Sequence, residues 1–315
     1  MGGSWRSVRC LPRSGSLHRC NARYLSTASV PAPPYDILFC GTDAFAHAAL
    51  QAILSRSDLY TSMHVLTPPD VKHKWGARRM RVSPVKQLAL THAIPTCELP
   101  AAGMDMFPLP SALQTSKAPM LVTASFGHRI PTTLLHQFPS PSLTLNLHPS
   151  MLPDLRGAAP IQWALARGYT ETGITVQQLH PTHFDQGGIL KQVPFAIPAG
   201  STYLSLLPSI AERGAQLLVD VMATLPTCHT QLQSQHGMPG TRAPKLAPKF
   251  SVVRWDRWTA ASIDGRQRGF GYAQPITMTL KPPSHTRFPS VNVAIREGQA
   301  NPQRRRMVAR LSRPR

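Results

Sequence analysis

The stretch LNLHPSMLPDLRGAAPIQWAL, residues 145–165, decides how the chain is read. An apolar run ends on Asn146 and His148, two residues apart, so strand alternation turns both side chains to one face. A Ser150-Met151-Leu152-Pro153 turn follows, and Gly157 then opens an apparent helix. In a doubly wound sheet, ligands bind beyond the carboxyl ends of strands, which is where the two polar residues fall. A carboxamide can donate N–H to a developing oxyanion, and an imidazole can move a proton near neutral pH. Such a histidine calls for a group that orients it and stabilises its charge. Among only 14 acids, Asp185 in HPTHFDQGGIL stands just before Gly187-Gly188 and a new apolar run. Two glycines there would let backbone approach a ligand closely. Taken singly, Asn146 reads as a cap, His148 as a structural histidine and Asp185 as a turn initiator. With the Ser-Met-Leu-Pro turn between them, the three read as a site.

Working outward, short apolar runs alternate with helical stretches from Tyr35 onward, the pattern of a mostly parallel sheet covered by helices. YDILFC (35–40) predicts a first strand, with a Gly41-Thr42-Asp43 turn into a helix near 45–55. MHVLT predicts a second strand, and SPVKQLALTH a helix started by Ser83 with Pro84 at its first position. Strands follow at 119–124 and 142–148, then a helix near Gly157, a strand pair in ITVQQLH and ILKQVPF, and an amphipathic helix over 202–225. The fold expected is a Rossmann-like α/β domain over 35–225. Residues 226–250, rich in Pro and Gln and without an acid, read as a linker. Residues 251–315 form a basic C-terminal region, read as short and irregular. FCGTDAFA lacks the second and third glycines of a dinucleotide loop, and no GKS or GKT is present, which argues against nicotinamide and P-loop chemistry.

The charge is +20, and its placement matters more than its size. Residues 1–34 hold five arginines and no acid, and residues 226–315 hold 16 basic residues against three acids. Between them the balance is 13 bases to 11 acids, so a nearly neutral small-molecule site adjoins basic ends suited to a polyanion. The Arg- and Ser-rich, acid-free segment 1–34 reads as a mitochondrial targeting segment, with Arg23-Tyr24-Leu25 ahead of Ser26 resembling a processing site and the matrix as destination. No apolar run of 18 residues occurs, so no membrane is expected. Five cysteines show no metal-ligand spacing and no disulfide framework, so no metal is expected and Cys40 and Cys97 read as buried thiols.

Several separated motifs now stand in one order: Asn-x-His, Ser-Met-Leu-Pro, Arg156-Gly157-Ala158-Ala159-Pro160-Ile161-Gln162, Glu171-Thr172-Gly173-Ile174-Thr175 and Phe184-Asp185-x-Gly187. With FCGTDAFA, SPVKQLA, TASFGHRIP and Ala243-Pro244-Lys245-Leu246, they resemble the folate-dependent formyltransferases, and within them those acting on methionyl-tRNA. The resemblance runs from about Asp36 to Asp220 and thinly beyond. It implies a formyltransferase domain that moves a formyl group from 10-formyltetrahydrofolate to the amino group of an initiator methionyl-tRNA. On these residues, Asn146 would hydrogen-bond the tetrahedral oxyanion, His148 would stabilise it and assist proton transfer, and Asp185 would favour charged His148 and help deprotonate the ammonium. The folate would lie against Phe126, Gly127, Ile130 and Pro131 and against Ser150, Met151, Leu152 and Pro153. The chain would act as a monomer.

The trio alone does not name the acceptor. Six of the 13 bases between 35 and 225 fall at Lys72, Lys74, Arg78, Arg79, Arg81 and Lys86, beside Trp75. The resemblance makes this loop the one that enters the acceptor stem, phosphate contacts supplying affinity and base contacts selection. The alternatives are a formyltransferase for a small amine and a non-catalytic tRNA-binding protein on a decayed scaffold. Pro149, Asp154, Gly188 and His180-Pro181 depart from the family's usual residues. The region after Asp256 is shorter than the family's β-barrel: either that β-rich barrel is truncated, or residues past about 280 form no folded unit.

Overall fold

The computed structural model describes residues 30–72, 80–280, 291–296 and 308–311. Seven strands build the main sheet: β1 (Tyr35–Gly41), β2 (Tyr60–Thr67), β5 (Thr96–Glu98), β6 (Pro119–Ala124), β7 (Thr144–His148), β8 (Glu171–Gln178) and β9 (Ile189–Ala196). Between β2 and β5, the two-residue strands β3 (Val71–Lys72) and β4 (Met80–Arg81) pair antiparallel as a ribbon. The sheet runs β5-β2-β1-β6-β7-β8-β9; the first five strands are parallel, and β8 and β9 pair antiparallel. Strand direction therefore matches the expected mostly parallel sheet, with an antiparallel hairpin closing one edge.

β1 shows why the sheet is central. Ile37 and Phe39 enter one apolar layer while Leu38 and Cys40 enter the other, so a period-two strand is buried on both faces. The first layer is covered by α1 (Ala44–Leu54), α2 (Pro84–Thr91), α5 (Pro160–Ala166) and α6 (Tyr203–Ala223). The second is covered by the short helices α3 (Ser111–Gln114) and α4 (Thr132–Leu135) with Phe126 and Phe138. Helix starts follow their capping residues: Asp43 accepts from the Ala46 N–H at 3.1 Å and Ser83 from the Lys86 N–H at 3.1 Å, with Pro84 at the first helical position. No helix among the described residues is long and apolar enough to cross a membrane.

Residues 226–250 do not hang free. After α7 (Leu225–Thr230) the chain returns along the domain, bridging Gln233 to Ile189 and Arg242 to Arg156. Ala243 is fully buried, and the Trp163 indole N–H donates to the Pro244 carbonyl at 2.8 Å. Beyond it, the stretch expected to be short and either irregular or β-rich contains a helix that was not foreseen, α8 (Ala260–Phe270), and an antiparallel sheet of β10 (Ile276–Leu280), β11 (Val291–Arg296) and β12 (Val308–Leu311). The helix escaped notice because its packing face is made of glycines rather than apolar side chains. A Cβ on Gly269 would stand 2.4 Å from the Gln162 carbonyl oxygen, and one on Gly265 2.7 Å from that of Leu165. α8 thus lies with its backbone against α5, and fully buried Phe270 meets the Trp163 ring edge-on at 5.1 Å.

Phe270→Ala would empty this junction. Its expected cost is about 3–5 kcal/mol, read from the urea midpoint, with Gly269→Ala destabilising through the same contact.

Candidate active site

A cleft of about 880 Å³ opens at the carboxyl ends of β1, β6 and β7, on the side where the strand order reverses from β1. Its floor is a row of polar side chains laid down by register. Asn146 on β7 sits beside Thr123 on β6 and beside Gln177 on β8. The Thr123 hydroxyl donates to Asn146 Oδ1 at 2.8 Å, which leaves the Asn146 Nδ2 facing Asp185 Oδ1 at 3.4 Å. The carboxamide's direction is set by this network, with one of its two N–H groups left for the cleft.

His148, 5 % exposed, ends β7. Its Nε2 lies 3.1 Å from the Leu155 carbonyl oxygen. A carbonyl only accepts, so Nε2 carries the hydrogen and Nδ1 is the nitrogen free to exchange a proton. Nδ1 faces Asp185 Oδ1 across 3.6 Å. The expected convergence of amide, imidazole and carboxylate is therefore present in the geometry.

Asp185 reaches this position because the loop after β8 folds back over the floor. Gly187 allows the fold: a Cβ there would lie 1.8 Å from the Gln178 carbonyl oxygen. The Gly187-Gly188 pair therefore serves close approach to protein, with Gly188 against Leu232, rather than to a ligand. The carboxylate then accepts from the Gly157 N–H at 2.8 Å and from Gln177 Nε2 at 3.3 Å, in addition to Asn146. The Arg156 Nε donates to the Asp185 backbone carbonyl at 3.1 Å. Gly157 does not open a helix; it holds φ +127° between Asp185 and the Ala243 carbonyl, which a Cβ would approach to 2.5 Å.

The expected folate wall divides. Phe126, Gly127 and Ile130 line the cleft, and Pro131 does not. Neither do Ser150, Met151, Leu152 and Pro153. Ser150 is fully buried and donates to the Asp154 carbonyl at 2.6 Å, while the Leu152 N–H is bonded by Thr175. The turn is tied to the sheet rather than open to the cleft: Thr175 donates to the Ser150 carbonyl at 2.7 Å and Gln192 to the Leu152 carbonyl at 2.8 Å. Lys86, expected on RNA, is instead held by Asp70 at 2.8 Å and Glu98 at 2.5 Å. Lys72 and Arg81 sit in the β3–β4 ribbon, and Lys74, Arg78 and Arg79 lie outside the described residues.

Residues missed by the sequence reading also face the cleft: Thr123, Arg156, Gln177 and Asp43. Burial raises the Asp43 carboxyl above the usual carboxylate range, against the N–H bonds of its own helix start. Gln177 was discoverable in principle, since a polar residue inside a strand otherwise buried on every side needs a partner.

The sheet thus gathers an amide, an imidazole and a carboxylate over its switch point. Residues 37–222 match the formyl transferase family, and the chain belongs to that family. It is 34 % identical over 236 residues to the mitochondrial methionyl-tRNA formyltransferase of Rattus norvegicus, covering 73 % of this chain and 56 % of the relative. To the methionyl-tRNA formyltransferase of Acidobacterium capsulatum it is 36 % identical over 236 residues, covering 74 % of this chain and 73 % of the relative. The chain thus spans little more than half the length of the mitochondrial relative. Among solved structures, a sugar 3N-formyl transferase in the presence of dTDP and 5-N-formyl-THF shares the fold at a TM-score of 0.53 and 16 % identity, covering 84 % of this chain and 94 % of that one.

Gly157→Ala is expected to push the 241–243 strip from the site and strain the backbone, costing about 1–3 kcal/mol. Thermal unfolding and faster proteolytic cutting within residues 231–243 would measure it.

Proposed function

We propose that the chain transfers the formyl group of 10-formyltetrahydrofolate to the amino group of an initiator methionyl-tRNA, in the mitochondrial matrix, for translation initiation. One observation carries the chemistry: the Asn146 amide, His148 Nδ1 and the Asp185 carboxylate converge on one side of a cleft. The names of the relatives and the basic segment 72–81 support the acceptor, and the arginine-rich segment 1–34 together with the mitochondrial relatives supports the compartment.

The cleft has the size of a small-molecule site, and its apolar wall at Phe126 and Ile130 suits a flat pterin. The amine nitrogen attacks the formyl carbon, forming a C–N bond, and the carbonyl electrons move onto oxygen. The free N–H of Asn146 and the protonated His148 stabilise that oxyanion, in a site held ready by Thr123 and Leu155. The methionyl ammonium gives up one proton before attack, and the proton that the attacking nitrogen still has to lose from the tetrahedral species passes to the Asp185 carboxylate, which stands opposite the charged His148 ring. Collapse of the tetrahedral species breaks the bond to N10, which takes up a proton from the same pair. Formyl-methionyl-tRNA and tetrahydrofolate leave, and one proton is released overall.

Incubating the full chain with 10-formyltetrahydrofolate and charged initiator tRNA should give acid-stable formyl-methionine. Uncharged tRNA should give none, and a wild-type chain that makes no product would refute the reading. Asn146→Ala is expected to lower kcat by about 100- to 1000-fold with the unfolding midpoint preserved. Neutralising Arg78 and Arg79 together should raise the tRNA KM and flatten its salt dependence. An unchanged KM and salt slope would favour a small amine as acceptor.

A further inference from the structure

One buried amide beside the site is not touched by the reacting atoms. Gln235 is 4 % exposed, and its hydrogen-bonding capacity is full. Its Nε2 donates to Gln177 Oε1 at 3.0 Å and to the Gly187 carbonyl at 2.8 Å. Its Oε1 accepts from Arg156 Nη2 at 2.8 Å and Nε at 3.2 Å. Two N–H groups and two lone pairs are thereby all used.

The direction of each bond follows from the carboxylate end. An ionised carboxylate only accepts, so Gln177 turns Nε2 to Asp185 and leaves Oε1 to accept from Gln235. A guanidinium only donates, so the Gln235 oxygen faces Arg156. The chain runs one way from Arg156 to Asp185, and flipping either amide would set like against like at both of its ends. Gln235 also holds Gly187, where the Asp185 loop is pinched against Gln178.

We propose that Gln235 is a positioning residue for formyl transfer, which by donating to Gln177 and Gly187 fixes the Asp185 carboxylate opposite His148 Nδ1. The inference rests on the formyl-transfer reading of the site. A purely structural role, anchoring residues 231–243 through Arg156, would need only the oxygen of this amide.

Two variants separate the roles. Gln235→Glu keeps the length and the acceptor for Arg156 but removes both donors, and Gln235→Met keeps only bulk. Both should lower kcat for transfer to methionyl-tRNA by about 10- to 100-fold. The KM of each substrate should stay within about twofold, the mark of a group acting in the transition state. Wild-type kcat in Gln235→Glu would overturn the proposal. In a Gln177→Met background, Gln235→Glu should add less than its loss in the wild type, because the route through Gln177 is already gone and only the bond to Gly187 remains to be lost; full additivity would also overturn it. A second readout needs no substrate: the ¹⁵N resonances of the His148 ring should move in Gln235→Glu, and unmoved resonances would refute the positioning role. A wild-type chain without transfer activity would sink the formyl-transfer reading, and the ring measurement would still decide what Gln235 does.

Discussion

The carboxylate of Asp185 organises this molecule's chemistry, because donors from three separate segments meet on it. Gly157 brings a backbone N–H, Asn146 a side chain from β7, and Gln177 a side chain from β8. Taking a carboxylate out of water is costly unless hydrogen bonds replace its hydration. Each donor in turn dictates something further out. Gly157 must lack a Cβ because Ala243 presses on its other side, Asn146 must be turned by Thr123, and the loop bearing Asp185 must be pinched at Gly187. The acid also stands where Nδ1 is the only nitrogen of His148 free to move a proton.

The sheet supplies this arrangement through register more than through loops. β6, β7 and β8 place Thr123, Asn146 and Gln177 side by side. β8 runs against β7, so the segment leaving it must turn back over that row to bring an acid near His148. The antiparallel hairpin at one edge of an otherwise parallel sheet is thus part of the site's construction.

Much of the sheet was legible because its strands are short apolar runs bounded by turn residues. α2 and its cap were legible too, with Ser83 and Pro84 in the expected places. Asn146, His148 and Asp185 stood out as polar residues where an apolar element ends. What could not be read depended on partners distant in sequence. α8 packs through Gly265 and Gly269, which leave no apolar period to detect. The polar composition of 226–250 suggested a linker, yet Gln235 is polar because it is buried among polar partners. The Ser150–Pro153 turn looked like a binding surface, yet its polar groups are taken up by Thr175, Gln192 and Asp154. Lys86 looked like a phosphate contact, while Asp70 and Glu98, 16 and 12 residues away in the chain, neutralise it.

The bridge between Arg156 and Arg242 gives the site a history as well as a shape. A ribosome extrudes the sheet, the imidazole and the acid well before residues 231–243 leave the exit tunnel. Until they arrive, one side of Gly157 stands open and the guanidinium of Arg156 has no amide to meet. In chain order the sheet, the imidazole and the acid all precede 231–243, and the packing of that strip closes the second side of Gly157 and gives Arg156 its amide.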